Sequence, residues 1–242
     1  MNDSEPRNPF TTKGFIIGAA IVGALALSGI VLGVTSLDAG GGGSTTADPG
    51  VSTPNPSSTL SAEAESVCGL PGYEETGTLT AAPTTEWTIV GTMAAPESAV
   101  VGPGITGTDG VRSCYAHTPE GALFAIANVW AMGTDARLSP LVTAQLTVPG
   151  AGRAAALAKD TTQSNTGLSA QIAGFKLLSY SGTDATVDTA FQVSNGSLLS
   201  FAYALKWVEG DWKIVLTDEG DPTFRPVTLQ SLGGYVTWSG VS

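Results

Sequence analysis

Side chains suited to catalysis are scarce in this 242-residue chain. It has one histidine, two cysteines and 10 lysines and arginines, and charged residues make up 13% of its composition. It has no G-x-S-x-G nucleophile motif, no H-E-x-x-H zinc motif, no P-loop, and no G-x-G-x-x-G between a predicted strand and a predicted helix. The sequence therefore predicts no enzyme, no catalytic residue and no cofactor.

A zinc site is also disfavoured. The two cysteines and His117 fall one short of the four ligands that a structural zinc site needs, and neither cysteine lies in a C-x-x-C motif. His117 stands just before the cap of a predicted helix, where an imidazole ring can pack or hydrogen-bond locally. We therefore interpret His117 as structural and expect no metal.

Acidic residues outnumber basic ones. The net charge is −11, and 19 of the 21 Asp and Glu but 8 of the 10 Lys and Arg lie at or beyond Asp38. Such a surface repels the phosphate backbone, so we expect no nucleic-acid partner.

The segment 14–37 contains no charged residue. As a helix it would be about 36 Å long, enough to span a hydrocarbon core of about 30 Å. A signal peptide has a shorter apolar region and a small-residue cleavage site, so an uncleaved anchor is the better interpretation. Arg7 and Lys13 precede the segment, and the next basic residue is Arg112. This asymmetry predicts a cytoplasmic tail at 1–13 and a C-terminal domain outside the cell membrane.

Glycines recur four residues apart within this predicted transmembrane helix. Gly14, Gly18, Gly29 and Gly33 share one helix face, the small-x-x-x-small pattern that lets two helices approach closely. The pattern predicts association with another membrane helix. The alternative is that glycine is simply common in such helices.

The anchor is followed by residues 38–62, which are dominated by Gly, Ser, Thr and Pro and predict a flexible linker. Cys68 and Cys114 both lie beyond it. In an oxidising compartment we expect them to form a disulfide rather than remain free thiols. The disulfide would join an irregular arm, 63–114, to an extracytoplasmic domain, 115–242.

Caps and hydrophobic periodicity predict three helices and then four strands. Thr118 and Pro119 suit the start of the first helix, Pro119–Met132, and Asn195-Gly196 suits a hairpin turn. The second helix has Ser139 as its cap and Pro140 at its first position and ends before Val148, and the third is 152–161. The predicted strands are 171–180, 185–193, 198–208 and 212–217.

This order of elements, with the hairpin KWVEGDWKIVLTDE, resembles the nuclear-transport-factor-like fold. The resemblance implies an α+β cone, cystatin-like, with three helices packed on a curved four-stranded antiparallel sheet. Together with the anchor and linker, the chain resembles the single-pass scaffold subunits of conjugation and type IV secretion machines. The stretch CYAHTPEGALFAIAN resembles actinobacterial membrane proteins of unassigned function that occur with mobile elements. These resemblances imply self-association and contact with other assembly subunits.

Two other functions stay open, small-ligand binding and catalysis, and both need a pocket. A cone of this kind often holds one, and Asp188, Tyr180 and Tyr203 could line it. The tail from Pro222 carries Tyr235 and Trp238, which either dock on the domain or bind a partner. We expect a non-enzymatic assembly subunit, with a small-ligand-binding domain as the alternative and a pocket enzyme as the least favoured hypothesis.

Overall fold

The computed structural model describes residues 65–159 and 168–240. The predicted tail 1–13, the transmembrane helix 14–37 with its four glycines, and the linker 38–62 lie outside these residues. Within the described ranges, no helix is long and apolar enough to cross a membrane.

The described residues contain three helices: α1 Pro119–Gly133, α2 Ser139–Leu146 and α3 Ala151–Ala158. The predicted cap of α1 is confirmed, because the Thr118 hydroxyl accepts a hydrogen bond from the Gly121 N–H at 3.1 Å. Nearly every residue of α1 is buried, as expected of a helix that is covered on all sides. The predicted cap of α2 is wrong by one residue, because Leu138 occupies the cap position without a side-chain bond.

The same part of the chain contains ten strands: β1 Glu86–Val90, β2 Met93–Glu97, β3 Ile105–Thr106, β4 Arg112–Ser113, β5 Ala170–Tyr180, β6 Asp184–Val193, β7 Leu198–Val208, β8 Asp211–Ile214, β9 Val227–Leu229 and β10 Val236–Thr237.

The main sheet has six strands, so the predicted fold class with a single four-stranded sheet is wrong. Its order is β10-β5-β6-β7-β8, and β9 also pairs with β7. The four predicted strands correspond to β5 to β8. The tail adds β9 and β10, which have only three and two residues and lie among glycines and polar residues. No alternation of apolar and polar residues marks strands this short.

The tail crosses the main sheet between these two strands. Since β9 pairs with β7 and β10 pairs with β5, residues 230–235 must pass over β6. They pass on the face opposite α1, where the Tyr235 hydroxyl meets Asp188. We call residues 222–240 the C-terminal strap.

The predicted arm supplies the remaining strands, in two further sheets of two strands each, β1-β2 and β3-β4. β1 and β2 form a hairpin whose turn has Gly91 at a φ of 60°. Strand β2 is buried from Met93 to Pro96 and contacts α1. Helix α1 is therefore enclosed between the main sheet and the β1-β2 hairpin, and this enclosure explains its burial on all sides.

Candidate functional site

The inner face of the main sheet faces α1 and carries Tyr203, one of the side chains considered for a ligand pocket. Trp130 of α1 packs edge-on against Phe191, Phe201 and Tyr203, with ring centroids 4.9, 5.3 and 5.3 Å apart. These are ordinary contact distances for aromatic pairs. The aromatic side chains of β7 therefore form part of the hydrophobic core.

Trp238 of the strap covers another part of this face. Its ring centroid lies 4.7 Å from that of Trp87 and 5.6 Å from those of Phe124 and Phe175. The Trp238 indole N–H donates to the Thr85 hydroxyl at 2.9 Å. The strap is thus tied into the core between α1, the main sheet and the start of the β1-β2 hairpin. Of the two roles predicted for the tail, the structure shows docking at Trp238.

Two polar atoms on the inner face have no hydrogen-bond partner among the described residues. They are the Trp130 indole nitrogen and the Thr189 hydroxyl, both in buried residues. Thr189 lies opposite Phe201 and Phe175 on the neighbouring strands. A buried donor without an acceptor costs about 1–3 kcal/mol, so these two atoms are the polar groups of the inner face that a small ligand could bind.

Asp188, Tyr180 and Tyr203 do not meet in one pocket. Asp188 pairs with Ala202, and Tyr203 pairs with Val187, so Asp188 and Tyr203 point to opposite faces of the sheet. Tyr180 lies at the end of β5, where its hydroxyl donates to the Glu74 carbonyl at 3.0 Å. The three side chains do not form a catalytic group.

Asp188 instead holds the strap. The Tyr235 hydroxyl donates to its Oδ2 at 2.5 Å, and the Lys176 ammonium lies 3.9 Å from the centroid of the Tyr235 ring. Burial, followed by the bond to Asp188, raises the pKa of Tyr235 to about 12. Tyr235 therefore stays a hydrogen-bond donor throughout the physiological pH range.

His117 is buried in an aromatic cluster. Its ring stacks on Trp207 at 3.8 Å between centroids and 6° between planes, and the edge of Tyr73 lies 4.8 Å away. Its Nε2–H donates to the Gly182 carbonyl at 2.5 Å. These contacts fit the predicted structural role.

Cys68 and Cys114 form a disulfide in the structure. It joins the start of the arm to the residues just before α1. Two backbone bonds hold the same stretch: Val67 N–H donates to the Gly210 carbonyl at 2.8 Å, and Glu74 N–H donates to the His117 carbonyl at 3.1 Å. The arm therefore lies across the end of the main sheet formed by the β5-β6 and β7-β8 turns.

Asp211 is a buried carboxylate that the sequence analysis did not identify. Its two oxygens accept backbone N–H bonds from Cys114 at 2.7 Å, Tyr115 at 3.0 Å and Trp212 at 2.9 Å. Burial raises the pKa of Asp211 to about 6, although the three N–H groups act in the opposite direction. The only sequence feature that marks Asp211 is its position beside a hairpin turn, E-G-D-W. Because most acidic residues at turns are exposed, this position did not predict a buried carboxylate.

Arg112 is the centre of a partly buried polar group that sequence reasoning missed. Its guanidinium donates to the Asn128 side-chain oxygen at 3.2 Å and to the Thr88 hydroxyl at 2.9 Å, and forms an ion pair with Glu97. It thereby joins the β1-β2 hairpin to α1. Within the two described ranges, no group of three His, Cys, Asp or Glu is placed to hold a metal ion.

Several large apolar side chains of the domain are exposed to solvent. Ile89 of β1 is 68% exposed and Val67 of the arm is 62% exposed. Others lie on separate elements, at Val100, Leu178 and Val227. Apolar side chains that lie singly are ordinary on a protein surface, and these five mark exposed positions at which contact with another molecule can be tested.

Residues 47–237 match a protein family described as Domain of unknown function (DUF8175). The chain belongs to this family. The match includes the end of the predicted linker, the arm, the helices and nearly all of the strap. No curated protein matches the chain, and no solved structure does. These comparisons therefore do not support the resemblance to the nuclear-transport-factor-like fold or the resemblance to conjugation and secretion subunits.

Proposed function

We propose that this domain is a non-enzymatic module, held outside the cytoplasm by a single-pass anchor, that works by contacting other proteins. The observation that supports it best is the packing of the inner face of the main sheet by Trp130 and Trp238. Since that face serves as core, the exterior of the domain is the surface left for function.

The side chains that could act as acids or bases are held in contacts within the domain, which supports the same proposal. His117 is stacked and hydrogen-bonded, Asp211 accepts three backbone bonds, and Asp188 binds Tyr235. Each of these contacts ties one segment of the chain to another. A general acid or base needs instead to reach a substrate atom within hydrogen-bond distance.

The proposed setting is the outer side of a cell membrane. The uncharged segment 14–37 and the preceding Arg7 and Lys13 support a cytoplasmic N-terminus. A disulfide between Cys68 and Cys114 suits an oxidising compartment. Within this setting, we propose a structural subunit of a conjugation or secretion assembly, which would place an anchored domain of this kind in contact with itself and with other subunits.

Photocrosslinking in intact cells tests the proposal. A photoreactive residue is placed separately at Ile89, Leu178 and Val227, which are all exposed and lie on different parts of the domain. We expect protein adducts from at least one site, identified by mass spectrometry. Absence of protein adducts from all three, with normal amounts of folded chain, would refute a protein-contact function.

Small-ligand binding is a second candidate, favoured by the unpartnered Trp130 nitrogen and Thr189 hydroxyl. A ligand of this site would be compact and apolar with a hydrogen-bond acceptor for Trp130. The test is a thermal-shift screen of the full chain, repeated with Trp130→Phe. A ligand that stabilises the wild type but not the variant would support this function, and no stabilising compound would count against it.

A further inference from the structure

We propose that the outer edge of β1 is a pairing surface for a second copy of this chain. In this arrangement two β1 strands pair antiparallel about a two-fold axis at Thr88. The inference rests on the proposed protein-contact function and names one of its surfaces and its partner.

The edge is open among the described residues. Strand β1 pairs only with β2, and no other strand or isolated bridge lies along its outer side in 65–159 or 168–240. An unpaired edge presents a row of N–H and C=O groups that can bind another strand.

The edge also lacks several of the features that commonly protect such strands. The register runs without a bulge from Glu86 opposite Glu97 to Val90 opposite Met93. The strand reads EWTIV, with no proline and no lysine. Natural edge strands are commonly blocked by one of these residues or by a bulge. In addition, Ile89 is 68% exposed, so its apolar side chain is accessible to a partner strand.

The sequence of β1 is complementary to itself in this register. A two-fold axis at Thr88 places Trp87, whose ring also packs on Trp238 of its own chain, opposite the partner's Ile89, and Glu86 opposite the partner's Val90. Aromatic and β-branched pairs across strands are favourable, and like charges directly opposite are unfavourable. Glu86 is the one charged residue of β1, and this register keeps the two copies of it at opposite ends of the pair.

The chain outside the described residues favours a second copy as the occupant. The 27 residues from 38 to 64 join the domain to the predicted anchor. A flexible chain of that length has an r.m.s. reach of about 30 Å. Two anchors associated through the face of Gly14, Gly18, Gly29 and Gly33 would hold their domains at an effective concentration of about 1 mM. A five-residue edge could then pair although its contact area is small.

The test compares Ile89→Lys with Val67→Lys in the full chain, purified in detergent. Both change an exposed apolar side chain to lysine, but Val67 lies in the arm, where its backbone N–H binds the Gly210 carbonyl of the β7-β8 turn. Self-association is measured by sedimentation. We expect Ile89→Lys to raise the dimer dissociation constant at least tenfold and Val67→Lys to change it less than twofold. Circular dichroism checks that both variants keep their strands.

Three results would overturn the inference. If the wild type associates and Ile89→Lys leaves the constant unchanged, β1 is not the surface, but the protein-contact function stands. If both lysine variants weaken association equally, the effect is one of charge and not of the edge. If the wild type stays monomeric but forms adducts with other proteins in cells, only the second-copy inference fails, whereas a monomer without protein adducts refutes the proposed function as well.

Discussion

The pH dependence of unfolding shows whether burial or hydrogen bonding has the larger effect on the Asp211 carboxylate. Its carboxylate is 4% exposed and accepts three backbone N–H bonds, one of them from Cys114. The hydrogen bonds favour the charged form and burial favours the neutral form. Because burial raises the pKa to about 6 from an ordinary 3.8, burial is the larger effect.

The shift makes the stability of the protein depend on pH. Between about pH 4 and pH 6 the native state holds a proton on Asp211 that the unfolded chain has lost. The free energy of unfolding therefore gains a contribution as the pH falls from 7 to 4, and this contribution is lost again as the pH rises through 6. A shift of about two units corresponds to roughly 3 kcal/mol.

An isosteric variant isolates this contribution. Asp211→Asn does not titrate, but its amide nitrogen cannot accept the Cys114 N–H as the carboxylate Oδ2 does, so the variant carries a cost that does not depend on pH. We expect the difference in unfolding free energy between the variant and the wild type to shift by about 3 kcal/mol in favour of the variant from pH 4 to pH 7. Urea unfolding followed by tryptophan fluorescence at pH 4, 5, 6 and 7 measures the difference. A difference independent of pH, or one that shifts in favour of the wild type, would show that the three N–H bonds outweigh burial.

Three further changes test how the arm and the strap are held. The Cys68–Cys114 disulfide spans 46 residues, and its reduction should lower the free energy of unfolding by about 4 kcal/mol. Urea titrations with and without reductant measure this difference. Unchanged unfolding would contradict a stabilising role for the disulfide. Tyr235→Phe removes the bond to Asp188 and should cost about 1–2 kcal/mol in the same assay, whereas no cost would mean that the strap is held elsewhere. Trp238→Ala should cost about 3–5 kcal/mol and expose strap amides to hydrogen exchange, and normal protection would contradict its docking.

Local signals in the sequence predicted the central elements of the fold. Thr118 and Pro119 marked the start of α1, and the alternation in β7 marked a strand with one apolar face. The Asn195-Gly196 turn lies between β6 and β7, with Gly196 at a φ of 88°. These features depend on neighbours close in sequence, so the pattern alone was sufficient.

The parts that were missed depend on long-range contacts. Trp238 donates to Thr85 across 153 residues, and Asp211 binds Cys114 across 97. Strands β9 and β10 are stabilised by the sheet edges that they join, not by their own propensity. For the same reason the inner face looked like a possible pocket: the alternation in β7 shows an apolar face but does not show that Trp130 covers it.

Native mass spectrometry of the full chain, extracted from cells in mild detergent, tests the central claim most directly. A protein that works by contacting other proteins should be recovered in complexes with itself or with other proteins. We predict masses that correspond to two or more protein chains, without a bound small molecule. A single chain carrying a stoichiometric small molecule would contradict this account and favour the small-ligand function.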